Sequence, residues 1–148
     1  TNMPAADVVE LCTRLARFKK ENKELLTYLL FEAGNEEAYI ESIKNEVGQH
    51  FKEINYTNIY FVKKSWRKIL RIINKYIRYS GLKQTEIELL IFYCQHLKNA
   101  EISIYSSKQL TSLYHRQLEK IKNSMTTLHE DLQYDYKEKL TELSSYKP

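Results

Sequence analysis

Thr85-Glu86-Ile87-Glu88-Leu89-Leu90-Ile91-Phe92-Tyr93-Cys94 is the stretch that decides the fold class. Thr85 followed three residues later by Glu88 has the spacing of a capping box, in which hydroxyl and carboxylate satisfy backbone donors left free at a helix start. The six residues after it are apolar on nearly every side of a helical wheel. A helix of that kind is stable only with other helices around it, which places it at the centre of an all-α domain. The scarcity of turn formers agrees: three Gly and two Pro in 148 residues cannot supply the many tight turns of a β-rich fold.

Working outward, Gly81 stops a helix from about Thr57 to Ser80 whose core-facing stripe is Val62, Trp66, Ile69, Ile73, Tyr76 and Ile77. Before it, Asn35 is a good N-cap for a helix over about Glu36–Glu53 carrying Ile40, Ile43, Val47 and Phe51. The first helix is expected from about Ala5 to Ala33, on Val8, Leu11, Leu15, Phe18, Leu25 and Leu29, with Asn22 as a polar interruption. Gly34 stands where a left-handed residue would end it. Downstream, Ser106-Ser107-Lys108-Gln109 has capping-box spacing and leads into Leu110, Tyr114, Leu118, Ile121, Met125, Leu128, Leu132, Tyr136 and Leu140.

One unbroken C-terminal helix would be on the order of 50 Å long, more than a compact domain of this size is wide. It is therefore expected to bend or break near Asn123-Ser124-Met125-Thr126-Thr127; otherwise it would project and form a dimer through the C-terminal helix. The whole chain, 1–148, reads as one domain of about five to six antiparallel helices in a bundle. The second architecture is a short HEAT-like α-solenoid, because Tyr28…Gly34…Ile40…Ile43 and Tyr76…Gly81…Ile87…Leu90 are similarly spaced.

Charge is the feature that stands above this background. No acidic residue occurs between Glu53 and Glu86, whereas Lys63, Lys64, Arg67, Lys68, Arg71, Lys75, Arg78 and Lys83 all do. Removing these eight from the 23 basic residues leaves 15 against 19 acidic, so the net charge of +4 comes wholly from residues 63–83. Lys64, Arg67, Lys68, Arg71, Lys75 and Arg78 share the arc opposite the apolar stripe. Like charges four residues apart on a helix repel, and a polyanion or an acidic partner would offset that repulsion. The chain's own Glu36, Glu37 and Glu41, or Glu130, Asp131 and Asp135, would serve instead if they lay opposite. The expected function is a non-catalytic helical interaction module whose basic stripe contacts an acidic protein partner or polymer, nucleic acid included.

Residues 85–136 carry an alternative. Leu110, Tyr114, Ile121, Met125 and Leu128 have the apolar spacing of a helix-turn-helix with its turn near His115-Arg116-Gln117, and the alternating Glu101-Ile102-Ser103-Ile104-Tyr105 suits a preceding short strand. With the helices on either side of Gly81-Leu82, this resembles the opening of a MarR-type winged-helix regulator. The resemblance implies a DNA-binding regulator presenting Gln117, Lys120, Asn123, Thr126 and Thr127 to the major groove. Against it stand a turn without glycine, no wing hairpin after Asp131, and positive charge concentrated on another helix.

No phosphate-cradling loop, nucleophile elbow or zinc signature occurs, so no enzyme activity, cofactor or metal is expected. Glu46/His50 and His115/Glu119 lie four residues apart, unlike the three-residue Glu–His spacing of di-iron bundles, and read as surface pairs. His96 and Cys94 read as packing residues. Cys12 and Cys94, in no CxxC arrangement, are expected as buried reduced thiols of a cytoplasmic protein. No apolar run approaches the roughly 20 residues that span a bilayer.

Overall fold

Two interruptions of the helical pattern shape the fold, at Lys19 and at Thr126–His129. The computed structural model describes residues 2–145, and among these it contains seven α-helices and no strand. They are α1 (Ala5–Phe18), α2 (Lys20–Thr27), α3 (Glu36–Lys52), α4 (Ile59–Ser80), α5 (Lys83–Lys98), α6 (Lys108–Met125) and α7 (Glu130–Ser144). The all-α expectation holds, with more helices than the five to six expected. The first helix accounts for the difference, because it is not continuous. Lys19 is extended (φ −141°, ψ 147°), and Asn22, the third residue of the next segment, donates from Nδ2 to the Leu15 carbonyl at 2.7 Å. The residue read as a polar interruption thus caps a helix that has already ended.

The described contacts divide the chain into two compact units, 1–39 and 40–148, with the division inside α3. In the first unit α1 and α2 pack on each other. A single π-helical turn, Tyr28–Glu32, closes on the Ala33 N–H to Tyr28 carbonyl bond at 2.9 Å. Tyr28 is buried against Tyr39 with ring centroids 4.6 Å apart, and its hydroxyl donates to Glu36 at 2.7 Å. Gly34 does not have the left-handed conformation expected of it; the π turn and the Asn35 cap end the segment instead.

In the second unit, α5 packs on α4, α6 and α7 at once. Ile87, Leu89, Leu90, Ile91, Tyr93, Cys94 and Leu97 are all buried, so the central place expected for this helix is the observed one. Its start differs. α5 begins at Lys83 with Leu82 as an N-cap that makes no side-chain bond. Glu88 does not turn back to the helix start: it accepts the Tyr136 hydroxyl at 2.6 Å and lies 3.5 Å from Lys44 Nζ. Tertiary partners on α7 and α3 outcompete the local box. The box at α6 is displaced by one residue, with Ser107 as N-cap accepting from the Gln109 N–H at 3.2 Å.

The C-terminal helix breaks near the place expected. α6 ends at Met125 and α7 restarts after His129, whose Nδ1 accepts from the Asp131 N–H. α7 folds back onto α6 and α5, burying Tyr136, Leu140 and Leu143, and Tyr114 donates to the Leu143 carbonyl at 2.8 Å. The projection that motivated a dimer through this helix is absent.

Gly81 ends α4 in the left-handed region (φ 70°), with its N–H on the Ile77 carbonyl at 2.9 Å. Space is not the constraint, since a Cβ there would meet nothing within 4 Å. Gly81→Ala is therefore expected to lower stability by about 1 kcal/mol through backbone strain alone, measured as the shift in urea midpoint. An unchanged midpoint would show that the turn relaxes freely.

Candidate functional site

α4 carries the candidate site because its two faces are so unlike. Asn58 caps its start by accepting from the Tyr60 N–H at 2.8 Å, and Gly81 closes its end. Over these 22 residues, about 33 Å of helix, Val62, Trp66, Ile69, Ile73 and Ile77 are buried at spacings of four and three. That stripe turns Lys64, Arg67, Lys68, Arg71 and Arg78 outward, and all five are exposed. Lys64, Lys68, Arg71, Lys75 and Arg78 follow one another at four, three, four and three residues, which sets them in a nearly straight file. Their axial rise is about 5 Å per step, roughly 21 Å in all.

Lys64, Arg67, Lys68, Arg71 and Arg78 lie within ion-pair distance of no described carboxylate. Glu41 pairs with Lys44 at 3.8 Å and Asp131 lies beside His129. Lys75 is half-buried, its ammonium 4.8 Å from the centre of the Tyr76 ring. The two ends of the basic segment are tied down. Lys63 donates to Gln109 at 3.3 Å, and Lys83 pairs with Glu86 at 3.3 Å.

Aromatic residues divide in the same way. Trp66 is fully buried, and Tyr76 is held by its hydroxyl on Glu46 at 2.7 Å. Tyr79 packs edge-on to Tyr76. Tyr60, four residues before Lys64 and so in line with the file, is 63% exposed, and its neighbour Phe61 is 47% exposed with ring centroids 5.7 Å apart. An aromatic pair at a helix start that no apolar spacing requires in the core is the signal in the sequence that marks Tyr60 and Phe61.

At the other end, Arg78 borders a cleft of about 360 Å³ with Asn74, Lys83, Glu86 and Lys120. Glu86 is buried, accepts the Ser124 hydroxyl at 2.8 Å and lies 3.6 Å from Lys120 Nζ. Its carboxylate ties α5 to α6. A larger cleft, about 570 Å³, lies among Phe51, Lys52, Phe92, His96, Lys98 and Glu142. His96 stacks on Phe51 at 4.5 Å and is half-buried, the packing role expected of it.

The helix-turn-helix geometry is corrected outright. α6 runs without interruption through His115-Arg116-Gln117, and the expected strand is a 3-10 turn, Ile104–Ser106. Gln117 is buried with its amide on the Leu113 carbonyl, and Lys120 is engaged with Asn74 and Glu86. Apolar spacing that looked like two helices belongs to one helix lying along α5. Cys12 is exposed rather than buried, because α1 buries no residue; Cys94 is buried as expected, and both are free thiols. Glu46 is spoken for by Tyr76, and Glu119 by Lys122 at 3.8 Å. Among the described residues no helix is long and apolar enough to cross a membrane.

Comparison of the chain with family models, with curated proteins and with solved structures gives no match.

Proposed function

We propose that the protein is a non-catalytic helical interaction module that binds a linear polyanion along α4, single-stranded nucleic acid being the class its surface suits best. The observation that carries this reading is the set of exposed cations on one face of α4, Lys64, Arg67, Lys68, Arg71 and Arg78, none of them within ion-pair distance of a carboxylate among the described residues. Holding like charges at four-residue intervals on one face is unfavourable by a few tenths of a kcal/mol per pair. A string of phosphates relieves that repulsion, and counterion release drives the association. The exposed Tyr60–Phe61 pair at the head of the file supplies a ring face on which a base can stack, which distinguishes a nucleic acid from a plain polyanion. Such a role suits the cytoplasm, where Cys12 and Cys94 stay reduced.

The test is fluorescence anisotropy with a labelled oligothymidylate, and with inorganic polyphosphate as competitor. Five phosphate contacts give a log–log salt slope near −3.5, so affinity is expected to fall about 100-fold between 50 and 200 mM salt. Arg67→Glu/Arg71→Glu is expected to abolish binding at the higher salt and to flatten the slope. Tyr60→Ala/Phe61→Ala should weaken the oligonucleotide about tenfold, the loss of one stacked base, while leaving polyphosphate unaffected. If neither polymer binds wild type at low salt, the reading is wrong. Equal losses for both polymers in the aromatic variant would reduce it to general polyanion binding.

A further inference from the structure

Nine of the thirteen large apolar side chains that stand exposed among the described residues fall in the first unit. Four of them, Val8, Leu11, Leu15 and Phe18, are 45%, 46%, 63% and 77% exposed and lie on one face of α1. Their spacing of three, four and three is the a/d seam of two-helix pairing. No residue of α1 is buried. A unit of fewer than about 40 residues rarely builds an adequate core alone, and an apolar seam left open in this way marks a contact surface.

Charge identifies what fits the seam. Asp7 and Glu10 occupy the first half of α1; Arg14 and Arg17 occupy the second, with Lys19 and Lys20 just beyond. Laid antiparallel on a second copy, Val8 meets the partner's Phe18 and Leu11 meets the partner's Leu15. Asp7 and Glu10 then run alongside the partner's Arg14, Arg17 and Lys19. A parallel arrangement sets like charge on like and brings Arg14 toward the partner's Lys19. An anionic lipid surface would be repelled by Asp7 and Glu10 at one end of the same face. We infer that two copies of the chain pair through α1, antiparallel, on the seam Val8, Leu11, Leu15 and Phe18.

Sedimentation equilibrium on the full chain, from low to high micromolar concentration, is expected to give a reversible monomer–dimer equilibrium. Leu11→Glu/Leu15→Glu should be monomeric throughout, with its circular dichroism otherwise retained. Asp7→Arg/Glu10→Arg should weaken pairing about tenfold or more. Adding Arg14→Glu/Arg17→Glu to that variant should restore it, because opposite halves again face each other. Cys12 lies one residue from the midpoint of the seam and is exposed, so diamide is expected to yield a disulfide-linked dimer that Cys12→Ser cannot form. A monomeric wild type overturns the inference, as does a dimer indifferent to Leu11→Glu/Leu15→Glu. Failure of the second charge reversal to restore pairing overturns the antiparallel arrangement. A monomer that binds anionic vesicles would assign the face to lipid instead.

Discussion

Trp66→Ala is expected to destabilise the second unit by about 3–5 kcal/mol, the cost of deleting a large fully buried aromatic side chain. Trp66 is wholly inaccessible, and its backbone carbonyl accepts the Tyr93 hydroxyl from the central helix at 2.8 Å. Domains of this size are stable by only about 5–15 kcal/mol, so the loss threatens the fold itself. The indole N–H makes the side chain informative in a second way, since Nε1 is buried and makes no hydrogen bond of ordinary geometry among the described residues, the Tyr56 hydroxyl being the polar group it faces. An unsatisfied buried donor costs about 1–3 kcal/mol. Trp66→Phe sheds that penalty while giving up part of the packing, and its net cost is expected to be about 1 kcal/mol or less. Urea denaturation followed by far-UV circular dichroism checks both, as the only tryptophan is the residue removed. Equal losses in the two variants would mean that the N–H is satisfied in solution. Arg67→Glu/Arg71→Glu, on the opposite face of the same helix, should leave the midpoint near wild type. A binding defect there is then separable from unfolding.

How much of this was legible in the sequence depends on how local the deciding interaction is. Asn35, Ser107 and Gly81 act within a turn of their own positions, and each end they mark lies at or within a residue or two of its expected place. The all-round apolar run of α5 named its own burial, because one residue pattern admits one environment. Glu88 was misread for the opposite reason. Its bond to Tyr136 spans 48 residues, and no local rule weighs a capping bond against a distant hydroxyl. Lys19 is harder still. Nothing in Phe18-Lys19-Lys20 breaks helix by propensity, and the cue was the neighbouring Asn22, whose side chain reaches back seven residues to Leu15.

The candidate site divides along the same line. The one-sidedness of the basic file follows from the helical period and was fully visible. Its exposure was not, because that depends on where Glu41, Glu130, Asp131 and Asp135 end up. The helix-turn-helix reading failed because apolar spacing records only that a face is covered. It does not say whether the chain turns between two covered residues, and α6 runs straight through the supposed turn.

Alkaline pH is expected to unfold the protein through groups that the core holds protonated. Burial pushes the Cys94 thiol from 9.0 up to about 12. Burial, and then the bond Tyr136 donates to the Glu88 carboxylate, pushes that phenol from 10.0 up to about 12. Burial raises Tyr93 well above 10.0 as well, its hydroxyl being fixed on the Trp66 carbonyl. In each case the folded state keeps a proton that the unfolded state releases, so stability falls as pH rises above the unfolded value. The fall begins near pH 9 with Cys94 and steepens above 10 as both tyrosines join. Cys94, the first to respond, alone contributes a loss of roughly 2–3 kcal/mol by pH 11 at about 1.36 kcal/mol per unit, a large part of the stability of a domain, and the two tyrosines add to it in the same direction. Urea midpoints at pH 8, 10 and 11 should therefore decline steeply. Cys94→Ala, although less stable at neutral pH because of the small cavity, should move the onset from about 9 to about 10, where tyrosine alone remains. A midpoint that stays level from pH 8 to 11 would mean that Cys94, Tyr93 and Tyr136 meet solvent in the folded protein, and the packing of α5 against α4 and α7 would need redrawing.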